Sequence, residues 1–246
     1  SKVALVGEGV GAEHAHDGLH AELGEDEGNA MSLGSSAVGQ AAPARMALAG
    51  QAFGGTGVMM PKFEAEDAVR VREKYKITHG QWVPTQFMRM YKLPEEVKSQ
   101  YDVSSQKGIT HAAAPCPVEL KHKMIDWWGT IFYEYYSGSE GIGMTHADPD
   151  QWLKFPGTVG KPLMGIIHIC DDQGQQVPPG EIGKIYFESD HEFNYHNDNK
   201  KREKVKHSHH SSWSSFGDIG YVNEEGYLFL TDRESFMIIS GGVNIY

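Results

Sequence analysis

The sequence predicts an α/β protein in which mixed sheets with packed helices are followed by a β-rich part. Three observations carry that prediction. Short β-branched and aromatic runs alternate with amphipathic helical stretches between residues 51 and 155. Beyond Pro156 the chain becomes a series of strand-like segments joined by Gly-, Asp- and Asn-containing turns. The composition, 39% hydrophobic and 22% charged over 246 residues, suits a globular chain that buries a sizeable core.

Taken in order, residues 1–50 form an atypical N-terminal segment, poor in bulky apolar side chains and rich in Gly, Ala and Glu. It opens with VALVGEGVGA, a strand-like run that fits G-x-G-x-x-A through Gly7, Gly9 and Ala12. A dinucleotide site needs a second strand ending in an acid. GEDEGN follows instead, so a strand and turn leading into the domain is the expectation. Phe63 to Tyr75 reads as a helix with Ala68, Val71 and Tyr75 on one face. ITHGQWV reads as a strand stopped by Pro84, which suits the first turn of a helix carrying Phe87 and Met90. Trp82, Phe87 and Met88 suit either core or the wall of an acyl tunnel.

The next unit is the most informative. GITHA is a short strand, Pro115 and Pro117 bracket a turn, and VELKHKMIDWW is a helix with Leu120, Met124 and Trp127 on one face. Trp127 and Trp128 read as core. TIFYEYY is a second strand. A β-α-β unit of this kind closes a parallel pair. Ligands of open α/β sheets bind beyond the carboxyl ends of strands, which here are the loops AAPCP and SGSEG.

In the β-rich part, residues 156–232, IIHIC and GEIGKIYFES read as strands and GYVNEEGYLFLTDR as a hairpin turning near Asn223 to Gly226. HNDNKKREKVKHSHHSS is expected to be a solvated loop. Its His207, His209 and His210, with His191 and His196 nearby, lack the ordered spacing of a zinc set.

Composition also bounds function. A net charge of -11 argues against nucleic acid, whose phosphates are bound by Lys and Arg. It leaves room for a phosphate-bearing small molecule if local donors and a metal offset the repulsion. Two cysteines, Cys116 and Cys170, are too few for a disulfide framework or a zinc site, and a cytoplasmic location is expected. No apolar run approaches a membrane span and no signal peptide opens the chain. Ser1 in place of Met points to a processed or partial chain.

The stretch YEYYSGSEGIG places Glu140 among small residues. As a metal ligand, that carboxylate could hold Mg²⁺ against a phosphate, while the small residues let backbone N–H groups approach closely. As a hydrolase, SGSEG lies one residue from the G-x-S-x-G nucleophile elbow, with Ser139 as nucleophile, but the elbow requires a helix directly afterwards.

The chain resembles the adenylate-forming acyl-CoA synthetases, the AMP-binding enzymes that include fatty-acid and aryl-CoA ligases. EYYSGSE is similar to the family's Y-G-x-T-E element, and GTVGKP to its G-x-x-G-K-P turn. WSSFGDIGYVNEEGYLFLTDRESFMIISGGVNIY is similar to its T-G-D…G-Y-L…D-R…G-G-x-x-I run, and AAAP stands in the expected place upstream. The resemblance covers roughly residues 50–246. It implies mixed sheets with packed helices followed by a distorted barrel-like part, with residues 233–246 the hinge and the start of a C-terminal domain.

The same resemblance implies the site. Tyr136 would lie against adenine beside Ala113, Ala114 and Pro115. Ser139 would contact phosphate and Glu140 would hold Mg²⁺, the two being the catalytic candidates. Asp218 and Arg233 would bind the ribose, Ser235 would be the hinge, and Gly241 and Gly242 would line the CoA approach. The implied cofactors are ATP, Mg²⁺ and CoA. The implied chemistry is attack of a carboxylate, a fatty acid for preference, on the α-phosphate of ATP, followed by thioester formation on CoA.

The chain departs from the pattern at GSSAVGQ, residues 34–40, which lacks the Thr pair and Lys of the family's phosphate loop. Ser137 replaces a usual Gly, and Phe216 a usual Thr. The sequence stops at Tyr246, ahead of the family's adenylating lysine. Binding without efficient turnover is therefore expected, and a nucleotide-binding remnant and a serine hydrolase using Ser139 are the alternatives to a ligase.

Overall fold

A computed structural model describes residues 2–5, 29–31, 48, 50–60, 62–191, 193, 203, 205–233, 238–240 and 243–245. It divides into two compact units, residues 1–110 with 123–131, and residues 111–122 with 132–246.

The first unit is α/β. Strands β1 (Lys2–Leu5), β2 (Asn29–Met31), β3 (Gly55–Met59) and β4 (His79–Trp82) form the order β4-β1-β3-β2, with every pair parallel. The strand expected in the opening run is β1; Gly7, Gly9 and Ala12 lie outside the described residues. β5 (Gly108–His111) begins where the Thr78 carbonyl accepts from Gly108 N–H at 3.1 Å.

Helix α1 (Ala65–Tyr75) carries Glu66 and Asp67 in its first turn and Lys74 in its last, the arrangement the helix dipole favours. It ends at Lys76 in the left-handed conformation. Its buried residues are Ala68, Val69 and Arg72, whereas Val71 and Tyr75 are only half-buried. The expected face was thus rotated, because a charged residue occupies the core position. Arg72 is fully buried, its guanidinium 4.6 Å from the Trp82 ring centroid and 3.7 Å from that of Trp128. Burial lowers its pKa well below the ordinary arginine value.

Pro84 opens α2 (Pro84–Tyr91) as expected, with Phe87 and Met90 buried; α3 (Glu95–Lys98) follows. Trp82 and Phe87 are core, whereas Met88 is exposed. In α4 (Val118–Trp128) the buried residues include Leu120, Met124 and Trp128 at four-residue spacing. Trp127 is half-buried, one position off the expected stripe.

The second unit is antiparallel. Strands β6 (Phe132–Ser137), β7 (Met144–Ala147), β8 (Thr158–Met164), β10 (Gly183–Glu188), β11 (Trp213–Ser214), β12 (Asp218–Val222) and β13 (Leu228–Arg233) run in the order β6-β7-β8-β13-β12-β10-β11, and β9 (Ile166–Cys170) adds to β10. Each of these pairings is antiparallel. A short hairpin, β14 (Ile238–Ser240) with β15 (Val243–Ile245), lies near the end of the chain. A one-and-a-half-turn helix, α5 (Pro149–Lys154), is started by Asp148, whose carboxylate accepts from Gln151 N–H at 2.8 Å.

Two expectations change here. GTVGKP is mostly the start of β8 rather than a turn. Its Gly160 has φ of 97°, and a Cβ there would lie 2.0 Å from the His146 backbone, so only glycine lets β8 close on β7. HSHHSS is not simply solvated: His207 is buried and its ring is held by backbone groups. The hairpin at Asn223 to Gly226 forms as expected, with Asn223 Oδ1 accepting from the N–H groups of Glu225 and Tyr227. Beneath these strands Ile142, Val159, Ile169, Ile185, Phe187 and Leu228 form a buried cluster against which Tyr136 and Phe216 pack.

Candidate functional site

The second unit contains the described site candidates. Along β6 the side chains alternate, so Phe132, Glu134 and Tyr136 share a face. The Tyr136 hydroxyl donates to Asp218 Oδ2 at 2.7 Å, joining the end of β6 to the first residue of β12. Asp218 is buried. In the β12–β13 register Arg233 stands directly opposite Asp218, so the two expected ribose ligands occupy paired strand positions. Ser235, Gly241 and Gly242 lie outside the described residues.

SGSEG links β6 to β7, an antiparallel hairpin rather than the strand–turn–helix of a nucleophile elbow. Ser137 Oγ donates to the Gly143 carbonyl at 2.8 Å and closes the loop, and Gly141 N–H donates to the Gly138 carbonyl at 3.2 Å within it. Ser139 is exposed and Glu140 is half-buried. A Cβ on Gly138 would lie 2.5 Å from Glu140 Oε2 and 2.4 Å from the Phe216 ring. The carboxylate therefore folds back over a turn that only glycine can make this bare. That disposition suits one carboxylate offered to a cation, since Mg²⁺ keeps several waters and takes other oxygens from phosphate. Among the described residues no group of three or more His, Cys, Asp or Glu side chains is placed to hold a metal.

Sequence reading noted Phe216 only as a departure from a pattern. It stands edge-on to Tyr136, centroids 5.5 Å apart at 89°, and Phe187 lies 5.5 Å from it. These rings wall the site and hold the tyrosine in place. The signal was the aromatic residue itself, directly before Gly217.

Ala113, Ala114 and Pro115 lie on the loop between β5 and α4. Ala113 has φ of 73°, uncommon for a residue with a Cβ. Below this loop lies a charged cluster that the sequence reading missed. Lys121 Nζ donates to Glu134 Oε2 at 2.8 Å, His111 Nε2 lies 3.4 Å from the same oxygen, and Lys121 lies over the Trp152 ring at 4.3 Å. All three charged or titratable groups are buried. Burial raises the Glu134 carboxyl and lowers the Lys121 ammonium, and each partner's charge opposes that shift. Burial, then the Lys121 charge, holds His111 well below the ordinary histidine value. Burial, then the Glu134 charge, pushes the Cys116 thiol up to about 12.

The mixed α/β fold is that of the adenylate-forming enzymes. The family model for AMP-binding enzymes matches residues 41–194, and the chain belongs to that family. It is 31% identical over 192 residues to a long-chain-fatty-acid–CoA ligase of Bacillus subtilis, a match spanning 77% of this chain and 33% of that protein. The chain thus spans about a third of the length of that relative. The solved O-succinylbenzoate coenzyme A synthetase of Bacillus subtilis in complex with ATP and magnesium ion is similar with a TM-score of 0.60 and 27% identity, over 79% of this chain and 39% of that one. An amide bond synthetase from Marinactinospora thermotolerans shares the fold with a TM-score of 0.77 at 23% identity, over 88% and 43% of the two chains. No helix among the described residues is long and apolar enough to cross a membrane.

Proposed function

We propose that the chain forms the nucleotide-binding part of an AMP-forming acid–thiol ligase, which converts a carboxylic acid and ATP to an acyl-adenylate and then to a CoA thioester. The observation that carries this reading is the 2.7 Å bond between Tyr136 and Asp218, because it gathers two motifs distant in sequence into one polar, aromatic-walled site. Tyr136 lies against adenine, with Ala113, Ala114 and Pro115 nearby. Asp218, a two-oxygen acceptor, and Arg233 bind the ribose hydroxyls. Ser139 meets the phosphate. Glu140 would hold Mg²⁺, which when bound neutralises phosphate charge. Ser235 serves as the hinge, and Gly241 and Gly242 flank the approach of CoA. Similarity to the long-chain-fatty-acid ligase supports a fatty acid as the substrate, and a cytoplasmic location accords with the sparse cysteines.

The residues contribute positioning and electrostatics rather than covalent chemistry. Tyr136 and Asp218 orient the nucleoside, and the bare turn gives phosphate oxygens access to backbone donors. Calorimetric titration with AMP, and with acyl-sulfamoyl-adenosine analogues of fatty and aromatic acids, tests the reading. The fatty-acyl analogue is expected to bind most tightly, and absence of binding by any of these ligands would overturn the proposal. Pyrophosphate release with ATP, Mg²⁺ and the same acids then ranks substrates.

A further inference from the structure

The loop of residues 112–117 is hydrogen-bonded at one end to a carboxylate and packed against it at the other. His111, which enters the loop from β5, lies 3.4 Å from Glu134 Oε2, and Lys121, in the first turn of α4 after the loop, donates to that same oxygen at 2.8 Å. Glu134 precedes Tyr136 by two residues on β6, so the two side chains share a face of the strand. The loop therefore cannot slide along the Tyr136 strand without breaking a contact to Glu134. Within it Ala113 holds a left-handed backbone, a conformation that persists only where its surroundings over-determine it.

Packing alone does not call for charges at this place. An apolar pair of similar volume generally does as well as a buried ion pair, because two desolvated charges regain little more than they lose. What the ion pair adds is direction: a hydrogen bond fixes one register where apolar contact tolerates several. We infer that Glu134, Lys121 and His111 are positioning residues that lock the 112–117 loop relative to Tyr136 and so hold the shape of the nucleotide pocket. This inference rests on the nucleotide reading given above.

The decisive variants are Lys121→Met alone and the apolar pair Lys121→Met with Glu134→Leu. The single variant strands a buried carboxylate and is expected to lower Tm, whereas the apolar pair recovers it. AMP affinity should fall about tenfold in both, the scale of one lost charge-assisted hydrogen bond. Affinity that recovers together with Tm would show a merely structural role and overturn the inference. A second readout is independent of nucleotide. The Lys121 charge lowers the Cys116 pKa, so its removal would by electrostatics alone slow alkylation of that thiol. Faster alkylation of the Cys116 peptide in Lys121→Met, followed by mass spectrometry, reports a loosened loop; an equal or slower rate overturns the inference. Asp218→Ala serves as the control. If wild type binds AMP, Asp218→Ala binds it more weakly, and Lys121→Met binds like wild type, the positioning role fails alone. If wild type binds no adenylate, the nucleotide reading fails and this inference with it.

Discussion

The hydroxyl of Tyr136 and the Oδ2 atom of Asp218 are 2.7 Å apart, although 82 positions separate them in the chain. The bond holds a buried carboxylate in place. Asp218→Ala is expected to weaken AMP or acyl-adenylate binding by about 1–3 kcal/mol, the range for losing a buried charged hydrogen bond. Titration calorimetry reads the change, and equal affinity in the two proteins would remove Asp218 from the site.

Ser139 is expected to stay unlabelled by a fluorophosphonate probe. It sits at the tip of a β-hairpin, and among the described residues no histidine hydrogen-bonds its hydroxyl. Nucleophilic serine needs such a base. Stoichiometric labelling that disappears in Ser139→Ala would restore the hydrolase alternative.

Elements with a strong local signal were legible in the sequence. Pro84 at the start of α2, the span of α4 and the turn at Asn223 to Gly226 each follow from residue types acting on their own backbone. The faces of helices were less legible. A periodicity reading assigns charged residues to solvent, so Arg72 beneath Trp82 and Trp128 defeated it. The same rule hid the Lys121–Glu134 pair, because ion pairing over 13 positions leaves no trace in a pattern of apolar letters. The Tyr136 and Asp218 candidates were found through motif resemblance. Their direct bond was not, since strand order alone brings them together. SGSEG was read as the loop after the second strand, as it is; that the next strand, β7, returns antiparallel beside it was not foreseen.

Arg72 offers a stability test. All three guanidinium nitrogens are buried without a hydrogen-bond partner among the described residues. Contact with two indole faces returns about 2 kcal/mol, less than the several kcal/mol lost on burying an ion. Arg72→Met keeps length and removes the charge. It is expected to raise stability by about 1–4 kcal/mol. At about 2–4 °C per kcal/mol for a chain of this size, calorimetric Tm should rise visibly. A fall in Tm would mean that the cation–ring contacts outweigh desolvation.

His207 provides a pH test with a definite sign. Its Nδ1 accepts from the backbone N–H groups of His209 at 3.1 Å and His210 at 3.2 Å, and its Nε2 donates to the Gly174 carbonyl at 3.0 Å. The ring is therefore neutral with its proton on Nε2, and protonating Nδ1 breaks both accepted bonds. Burial, with the charges of His210, His209 and His168, lowers its pKa, while the Gly174 bond opposes that shift. The unfolded chain takes up a proton near pH 6.5. Between that pH and the lower folded pKa, the unfolded state binds a proton the folded state does not, so this contribution to stability is lost as pH falls through that window. His207→Leu removes the titration along with the hydrogen bonds. Urea midpoints measured from about pH 7.5 down to about pH 5 should show wild type ahead at neutral pH, with its lead narrowing on acidification. A lead constant across that range would show that His207 does not titrate between the folded and unfolded states as its hydrogen bonds require.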